Sequence, residues 1–134
     1  MGDLATDFVW SDTWVLLAII YNQKRGSATL QDIIAAADGI NHAIPTLEEL
    51  ESALNRLLAA GCITEQDGKY DVTEPVLMVY AKMTKPRQSV PDELDKMKQF
   101  LATSPRPESC PKVIVITDSA FKDACENYLK RRRD

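Results

Sequence analysis

The side chains with the greatest chemical capability in this 134-residue chain are three cysteines, a single histidine and a short basic run near the C-terminus. Cys62, Cys110 and Cys125 are far apart in the sequence, and His42 is not adjacent to any of them. A structural zinc site uses closely spaced Cys and His ligands, and a catalytic cysteine needs a neighbouring base. The spacing therefore indicates neither site. We interpret Cys62 and Cys125 as small buried apolar residues and expect no metal and no cofactor.

The carboxylates are the other candidates for chemistry, since the chain has 20 Asp and Glu residues against 16 Lys and Arg. General acid–base catalysis needs a carboxylate whose pKa is shifted by an apolar setting or by a close partner. No pair of acidic residues lies in such a stretch of the sequence, and no glycine-rich phosphate loop is present. We therefore predict that the protein is not an enzyme.

The charges are unevenly distributed along the chain. Residues 1–75 hold four basic and twelve acidic residues, a balance of −8, whereas residues 76–134 hold twelve basic and eight acidic, a balance of +4. A basic run near the C-terminus is a candidate contact for nucleic acid or an acidic surface, although cations are also favoured in the last turn of any helix. A third interpretation is that the basic half docks on the acidic half, within one chain or across a dimer. The run consists of Lys130, Arg131, Arg132 and Arg133.

The sequence gives no indication of a membrane protein. Its longest strongly apolar run, Trp14 to Tyr21, has eight residues, far fewer than the roughly 20 that cross a bilayer. The first residues lack the basic start and apolar stretch of a secretory signal. We expect no membrane partner and a cytoplasmic location.

Helical spacing and turn signals alternate over the first 75 residues. Thr46 and Glu49 have the spacing of a capping box, and Asp67-Gly68 between two alternating segments is a strong hairpin signal. The first helix is apolar on nearly every side, so we expect it at the centre of the fold. In order, the pattern predicts a helix from Ser11 or Asp12 to Lys24, a minimal strand at 27–29, a helix over Leu30–Ala37 stopped by Gly39, a connector over Ile40–Pro45, a helix over Leu47–Ala60 and a hairpin over 62–73.

The second half of the chain is predicted to be mainly helical, with one strand. The run Val113–Ile116 is entirely β-branched, which favours a buried strand. It is too apolar to stand at an open edge, so we expect it to join the hairpin sheet or to pair with a second chain. The predicted order is a helix over Val76–Met83, a helix capped by Ser89, a loop over 103–111, this strand and a C-terminal helix.

Residues Ala53–Ile63, followed by Asp67–Tyr70 and Val72–Glu74, resemble the third helix and wing of bacterial winged helix-turn-helix regulators. The similar families are the multiple-antibiotic-resistance (MarR) and phenolic-acid (PadR) repressors, and the resemblance covers about half of the chain. It implies an α+β fold with a winged helix over residues 11–75, in a domain of residues 1–75. Residues 76–134 would then be a helix-helix-strand-helix extension that packs on the first part or mediates dimerisation.

The resemblance also implies which residues of the third helix would face a DNA major groove. Three of them are carboxylates, which oppose the phosphate contacts on which DNA binding depends, although acidic residues also suit the first turn of any helix. The wing is acidic as well, with Glu65, Asp67 and Asp71 against Lys69. The groove-facing positions are Thr46, Glu48, Glu49, Glu51, Ser52 and Asn55.

Two functions follow from these observations. The first is a non-catalytic protein-interaction or regulatory module whose acidic third helix binds protein, including a second copy of itself in a homodimer. The second is a DNA-binding transcription regulator that uses the basic groups of the C-terminal half. The charge of the third helix favours the first and disfavours nucleic acid, while fold alone does not decide between them.

Overall fold

The computed structural model describes residues 8–103 and 113–133, with Arg133 described by its backbone alone. The fold is α+β, as predicted, and combines helices with an antiparallel hairpin. The first half contains α1 (Trp10–Asn22), a 3-10 turn (Gln23–Arg25), α2 (Leu30–Asn41), α3 (Leu47–Ala59), β1 (Ile63–Gln66) and β2 (Lys69–Val72). The second half contains α4 (Glu74–Met83), α5 (Val90–Thr103) and α6 (Asp118–Arg133).

Helix α1 is the centre of the structure. Every residue from Asp12 to Ile20 is buried, and the helix contacts α2, α3 and α5. An apolar surface on all sides requires neighbours on all sides, so the predicted central position is confirmed. The helix begins at Trp10, earlier than predicted, because the Asp12 carboxylate accepts a hydrogen bond from the Val9 amide at 2.8 Å and closes the first turn.

Asp12 also forms an ion pair in which the carboxylate is fully buried and the Arg56 side chain is 27% exposed. Its carboxylate is 0% exposed and accepts bonds from Arg56 Nε at 2.8 Å and Nη2 at 3.0 Å. A buried carboxylate is tolerated only when it is paired in this way. The pair ties the start of α1 to the C-terminal half of α3.

The hairpin has the register that its turn residues predict. Strands β1 and β2 pair antiparallel from Ile63 opposite Val72 to Gln66 opposite Lys69. Both turn residues have positive φ, 52° at Asp67 and 78° at Gly68, the combination that a two-residue hairpin turn requires. Ala28 joins the outer edge of β2 by exchanging two 2.8 Å backbone hydrogen bonds with Tyr70. The minimal strand predicted at 27–29 is therefore present as a single bridge.

Helix α2 extends past the glycine that was predicted to stop it. It continues through Gly39 to Asn41, and His42 ends it with a φ of 56°. The backbone N–H of His42 donates a hydrogen bond to Asp38 O at 2.7 Å. Glycine weakens a helix without forbidding it, and here the left-handed residue is the histidine. The connector to α3 is residues 42–46, one residue shorter than predicted.

Glu93 of α5 holds two tyrosines from other helices. Its Oε1 atom accepts hydrogen bonds from Tyr21 of α1 at 2.6 Å and from Tyr80 of α4 at 2.8 Å. Burial raises the pKa of both phenols above the ordinary value, and the bond to the Glu93 carboxylate raises it further. One carboxylate thus links α1, α4 and α5.

Residues 113–117 differ from the prediction. They do not join the hairpin, and the sheet in the described part of the chain has only β1 and β2. Ile114 and Ile116 are buried, whereas Val113 is 68% and Val115 is 76% exposed, which is the alternation of an extended chain. The expectation that this segment adds to the hairpin sheet was wrong, because side chains of α3 provide its backbone partners. The loop predicted over 103–111, with Cys110, lies outside the described residues from 104 onward.

Within residues 8–103 and 113–133, none of the helices combines the length and apolar character that crossing a bilayer requires.

Candidate functional site

The α3 face is defined here as the six groove-facing positions predicted from sequence, and two of them serve the helix itself. The Thr46 amide donates to Glu49 Oε1 at 2.9 Å, and the Glu49 amide donates to Thr46 Oγ1 at 3.1 Å. This is the capping box that the sequence predicts. Both side chains are therefore engaged in starting α3. The α3 face comprises Thr46, Glu48, Glu49, Glu51, Ser52 and Asn55.

Asn55 binds the backbone of Ile114 through both ends of its amide. Its Oδ1 accepts from Ile114 N at 2.7 Å, and its Nδ2 donates to Ile114 O at 2.9 Å. The same Nδ2 also donates to Glu51 O at 3.0 Å, which fixes its orientation along α3. In an antiparallel pair, a neighbouring strand accepts a hydrogen bond from the N–H of a residue and donates one to its C=O. Asn55 thus takes the place of a strand partner.

Glu51 extends the same contact by two residues. Its Oε2 atom accepts a hydrogen bond from Ile116 N at 2.8 Å. Positions four apart on a helix are about 6 Å apart along its axis, close to the roughly 6.6 Å that two extended residues span. Asn55 and Glu51 therefore match alternate residues of an extended chain. The docked segment, residues 113–117, lies antiparallel to α3 because the residue number rises along one as it falls along the other.

The two remaining positions are less involved. Glu48 is exposed, and Ser52 is half-buried. Glu48 lies in the first turn of α3 together with Glu49, where negative charge complements the helix dipole. The α3 face is therefore acidic at its start and covered by the docked segment over its second and third turns.

The predicted basic run lies at the end of α6, which packs against α2. Arg132 Nη1 is 3.0 Å from Asp38 Oδ2, and the same carboxylate oxygen accepts from the Tyr128 hydroxyl at 2.5 Å. Lys130 and Arg131 are exposed, and the side chain of Arg133 lies outside the described residues. Part of the basic half thus docks on an acidic residue of the first half within one chain.

The two predicted sets of site residues are not brought together as one surface. Glu51 and Asn55 contact the docked segment, whereas Arg132 contacts α2. The basic run supplies no neutralising charge to the α3 carboxylates through any contact of its described side chains.

The two cysteines among the described residues both have a raised pKa. Burial raises the pKa of Cys62 to about 11, and burial together with Glu126 raises the pKa of Cys125. A thiolate is the reactive form of cysteine, so neither thiol is activated. Among the described residues, no group of three His, Cys, Asp or Glu side chains has the geometry to hold a metal ion.

Sequence reasoning missed the pairing of Asn55 with Ile114, which are 59 positions apart. Two signals were present: an amide and a carboxylate one turn apart on a helix, and a β-branched run that needed backbone partners. Neither signal indicates that the helix side chains and the β-branched run contact each other. The family resemblance assigned these side chains to a nucleic-acid groove.

The chain matches no protein-family model, and no curated protein or solved structure shows a significant similarity to it.

Proposed function

We propose that the protein is a non-catalytic, winged-helix interaction module whose α3 face binds extended polypeptide. The observation that carries this proposal is the pair of side chains, Asn55 and Glu51, that bonds the backbone of Ile114 and Ile116. A surface built in this way recognises the backbone of an extended segment with apolar side chains. The docked segment is its resident ligand. A partner protein would present the same kind of strand.

The order and pairing of the elements support the winged-helix part of the proposal. Helix α1, the bridge at Ala28, helices α2 and α3, and the hairpin β1–β2 follow one another as in a winged helix-turn-helix. Ala28 pairs with β2 on the edge away from β1, which gives the hairpin a minimal third strand. The connector of residues 42–46 is slightly longer than the usual turn.

The charge of the α3 face supports protein over duplex DNA as the partner. DNA affinity rests largely on neutralising phosphates with Lys and Arg. Glu48, Glu49 and Glu51 place three carboxylates on the helix that would enter the groove, and the docked segment occupies the positions of Glu51 and Asn55. A DNA complex would need this segment removed and the acidic charge compensated.

The selectivity of this surface depends on the side chains that it buries. The Asn55 amide and the Glu51 carboxylate bond main-chain atoms, so they do not discriminate between side chains. Selectivity then comes from the two buried positions that Ile114 and Ile116 fill. We expect partners with β-branched residues at alternate positions.

The direct test is competition for the α3 face. In the full chain, Ile114→Ser with Ile116→Ser weakens the resident segment, and a labelled peptide with the sequence of residues 111–119 should then bind. Adding Asn55→Leu should weaken that binding by about tenfold or more, because two hydrogen bonds are lost. Far-ultraviolet circular dichroism verifies that each variant is folded. Peptide binding that is insensitive to Asn55→Leu contradicts the proposal.

The exposed Lys130 and Arg131 are the observation that favours the DNA-binding alternative. Fluorescence anisotropy with a random duplex at low salt tests it. We expect no binding, with or without Asn55→Leu. Salt-sensitive binding that is lost on replacing Lys130 and Arg131 by Gln would make the transcription regulator the better account.

A further inference from the structure

A second surface, which shares no residue with the α3 face, has the features of a small-molecule site. A pocket of about 440 Å³ lies between α2, the turn after α1 and the last turns of α6. This volume falls within the range of about 300–1,000 Å³ that is typical of ligand sites. None of the α3 face residues lines it.

Two arginines from distant parts of the chain line this pocket. Arg25 comes from the turn after α1, and Arg131 comes from α6. In the described part of the chain, no carboxylate lies within ion-pair distance of either guanidinium. Asp32 also lines the pocket, but its carboxylate is bonded to the Thr29 amide at 3.0 Å as part of a helix cap. The pocket lining thus carries two guanidiniums against one carboxylate, a formal net charge of +1, and within the described residues neither guanidinium is held in an ion pair.

Part of the wall of the pocket is apolar, and Tyr21 and Asn22 add polar groups to the rest. Ala35, Ala36 and Ile40 of α2 and Val90 at the start of α5 line it alongside the arginines. A ligand that fills the pocket would place an apolar body against these residues and an anionic group between the guanidiniums. Planar guanidiniums bind carboxylate and phosphate through paired hydrogen bonds.

Gly39 provides independent support because nothing in the fold requires a glycine there. It lies inside α2, its φ is not positive, and a Cβ atom built on it would meet no atom within 4 Å. Glycine destabilises a helix interior relative to alanine. Gly39 lines this pocket and also the neighbouring one beside His42, so the lack of a side chain at this position leaves that space open.

We propose that this pocket binds a small organic oxyanion, a carboxylate or phosphate monoester with a compact apolar body, between Arg25 and Arg131. The proposal is independent of the polypeptide-binding role of the α3 face. It requires no reaction, since the site is one of binding. The α6 helix contributes Arg131, so ligand binding also fastens the C-terminal helix to α2.

Isothermal titration of the full chain with two probes tests the proposal. Cyclohexanecarboxylate and phenyl phosphate should each bind with a dissociation constant of about 1 mM or tighter, as expected for ligands of this size. The neutral isostere cyclohexanecarboxamide should bind at least about tenfold more weakly, because it lacks the charge that the arginines pair with. The ratio between the two anions shows whether carboxylate or phosphate is preferred.

Matched variants locate the site. Arg25→Gln and Arg131→Gln should each weaken binding by about tenfold, while Lys24→Gln and Lys130→Gln, which remove the same charge from the neighbouring positions, should change it less than about twofold. Gly39→Met should abolish binding by filling the pocket, and Gly39→Ala should nearly preserve it.

Three results would overturn the proposal. The first is no binding of either anion at about 10 mM. The second is equal binding of the carboxamide. The third is unchanged binding in a folded Gly39→Met variant, which would place the ligand elsewhere on the surface. These outcomes do not depend on whether the α3 face binds peptide, so failure of one proposal is distinguishable from failure of the other.

Discussion

Asn55 satisfies both the N–H and the C=O of Ile114, at 2.7 and 2.9 Å, so a single side chain on a helix replaces a strand. This relationship explains how a β-branched run can be ordered without entering a sheet. It also explains why the α3 face is already occupied in the isolated chain.

We expect Asn55→Ala to destabilise the protein by about 1–3 kcal/mol, because two hydrogen bonds to a part-buried backbone are lost. Urea unfolding measures the change, and hydrogen exchange should show faster exchange of the Ile114 amide. Ser52→Ala, at a half-buried position on the same face, is the control and should stay within about 0.5 kcal/mol of the parent. Unchanged protection of Ile114 in the Asn55 variant would show that this contact does not hold the segment.

We expect Asp12→Ala to cost about 3 kcal/mol of unfolding free energy, since it leaves Arg56 without its buried partner. The double variant Asp12→Leu with Arg56→Met should recover most of the loss, because two apolar residues need no partner. Chemical denaturation of the three proteins gives the comparison. A double variant no more stable than Asp12→Ala would indicate that α1 and α3 depend on this ion pair for their packing.

Gly39→Ala should stabilise the protein by about 0.5–1 kcal/mol, because alanine suits a helix interior better and the site has room for a methyl group. Thermal unfolding should show an increase of a few degrees. Gly68→Ala is the contrasting control, because φ at Gly68 is 78° and a side chain there is strained. A loss of stability in Gly39→Ala would mean that the glycine has a structural role in α2.

Stability should fall as the pH rises above about 10, the ordinary pKa of tyrosine. The pKa values of Tyr21 and Tyr80 are raised by burial and by Glu93, so the unfolded chain loses these phenolic protons at a lower pH than the folded one. The protonated phenols therefore contribute stability below pH 10, and this contribution is lost progressively above it. Unfolding measured across this range, with Tyr21→Phe and Tyr80→Phe for comparison, should show a shallower decline in the variants.

An ultraviolet titration provides the companion measurement. Tyr21 and Tyr80 should ionise well above the ordinary value, and Tyr70, whose pKa is raised to about 12 chiefly by burial, should also ionise late. Ionisation of all four tyrosines near pH 10 in the folded protein would contradict the shared contact at Glu93.

Local signals predicted local structure well. The capping box of Thr46 and Glu49 and the hairpin turn at Asp67-Gly68 are both present as the sequence indicated. In each case the atoms that interact lie within three residues of each other, so spacing alone specifies the geometry. The central position of α1 was also predictable, because an all-round apolar helix has no other stable place.

The candidate site was harder to predict because its partners are remote in sequence. The run Val113–Ile116 showed that it needed backbone partners, but a sheet edge and a helix side chain satisfy the same atoms equally well. Asn55 and Glu51 provide these partners in the structure, because their spacing on α3 matches alternate residues of the run. The pocket at Gly39 was not predicted, because the sequence indicated that this glycine ended α2 and its partners in the lining are remote in sequence.

The distance in sequence between Asn55 and Ile114 has a consequence for synthesis. Helix α3 leaves the ribosome well before the residues that will cover it. The Glu51 carboxylate and the Asn55 amide are therefore exposed while the second half of the chain is synthesised. A shortened product that stops before residue 113 would keep that strip open permanently and offer it to any passing strand. Once it has been made, the docked segment thus protects the α3 face from unwanted association.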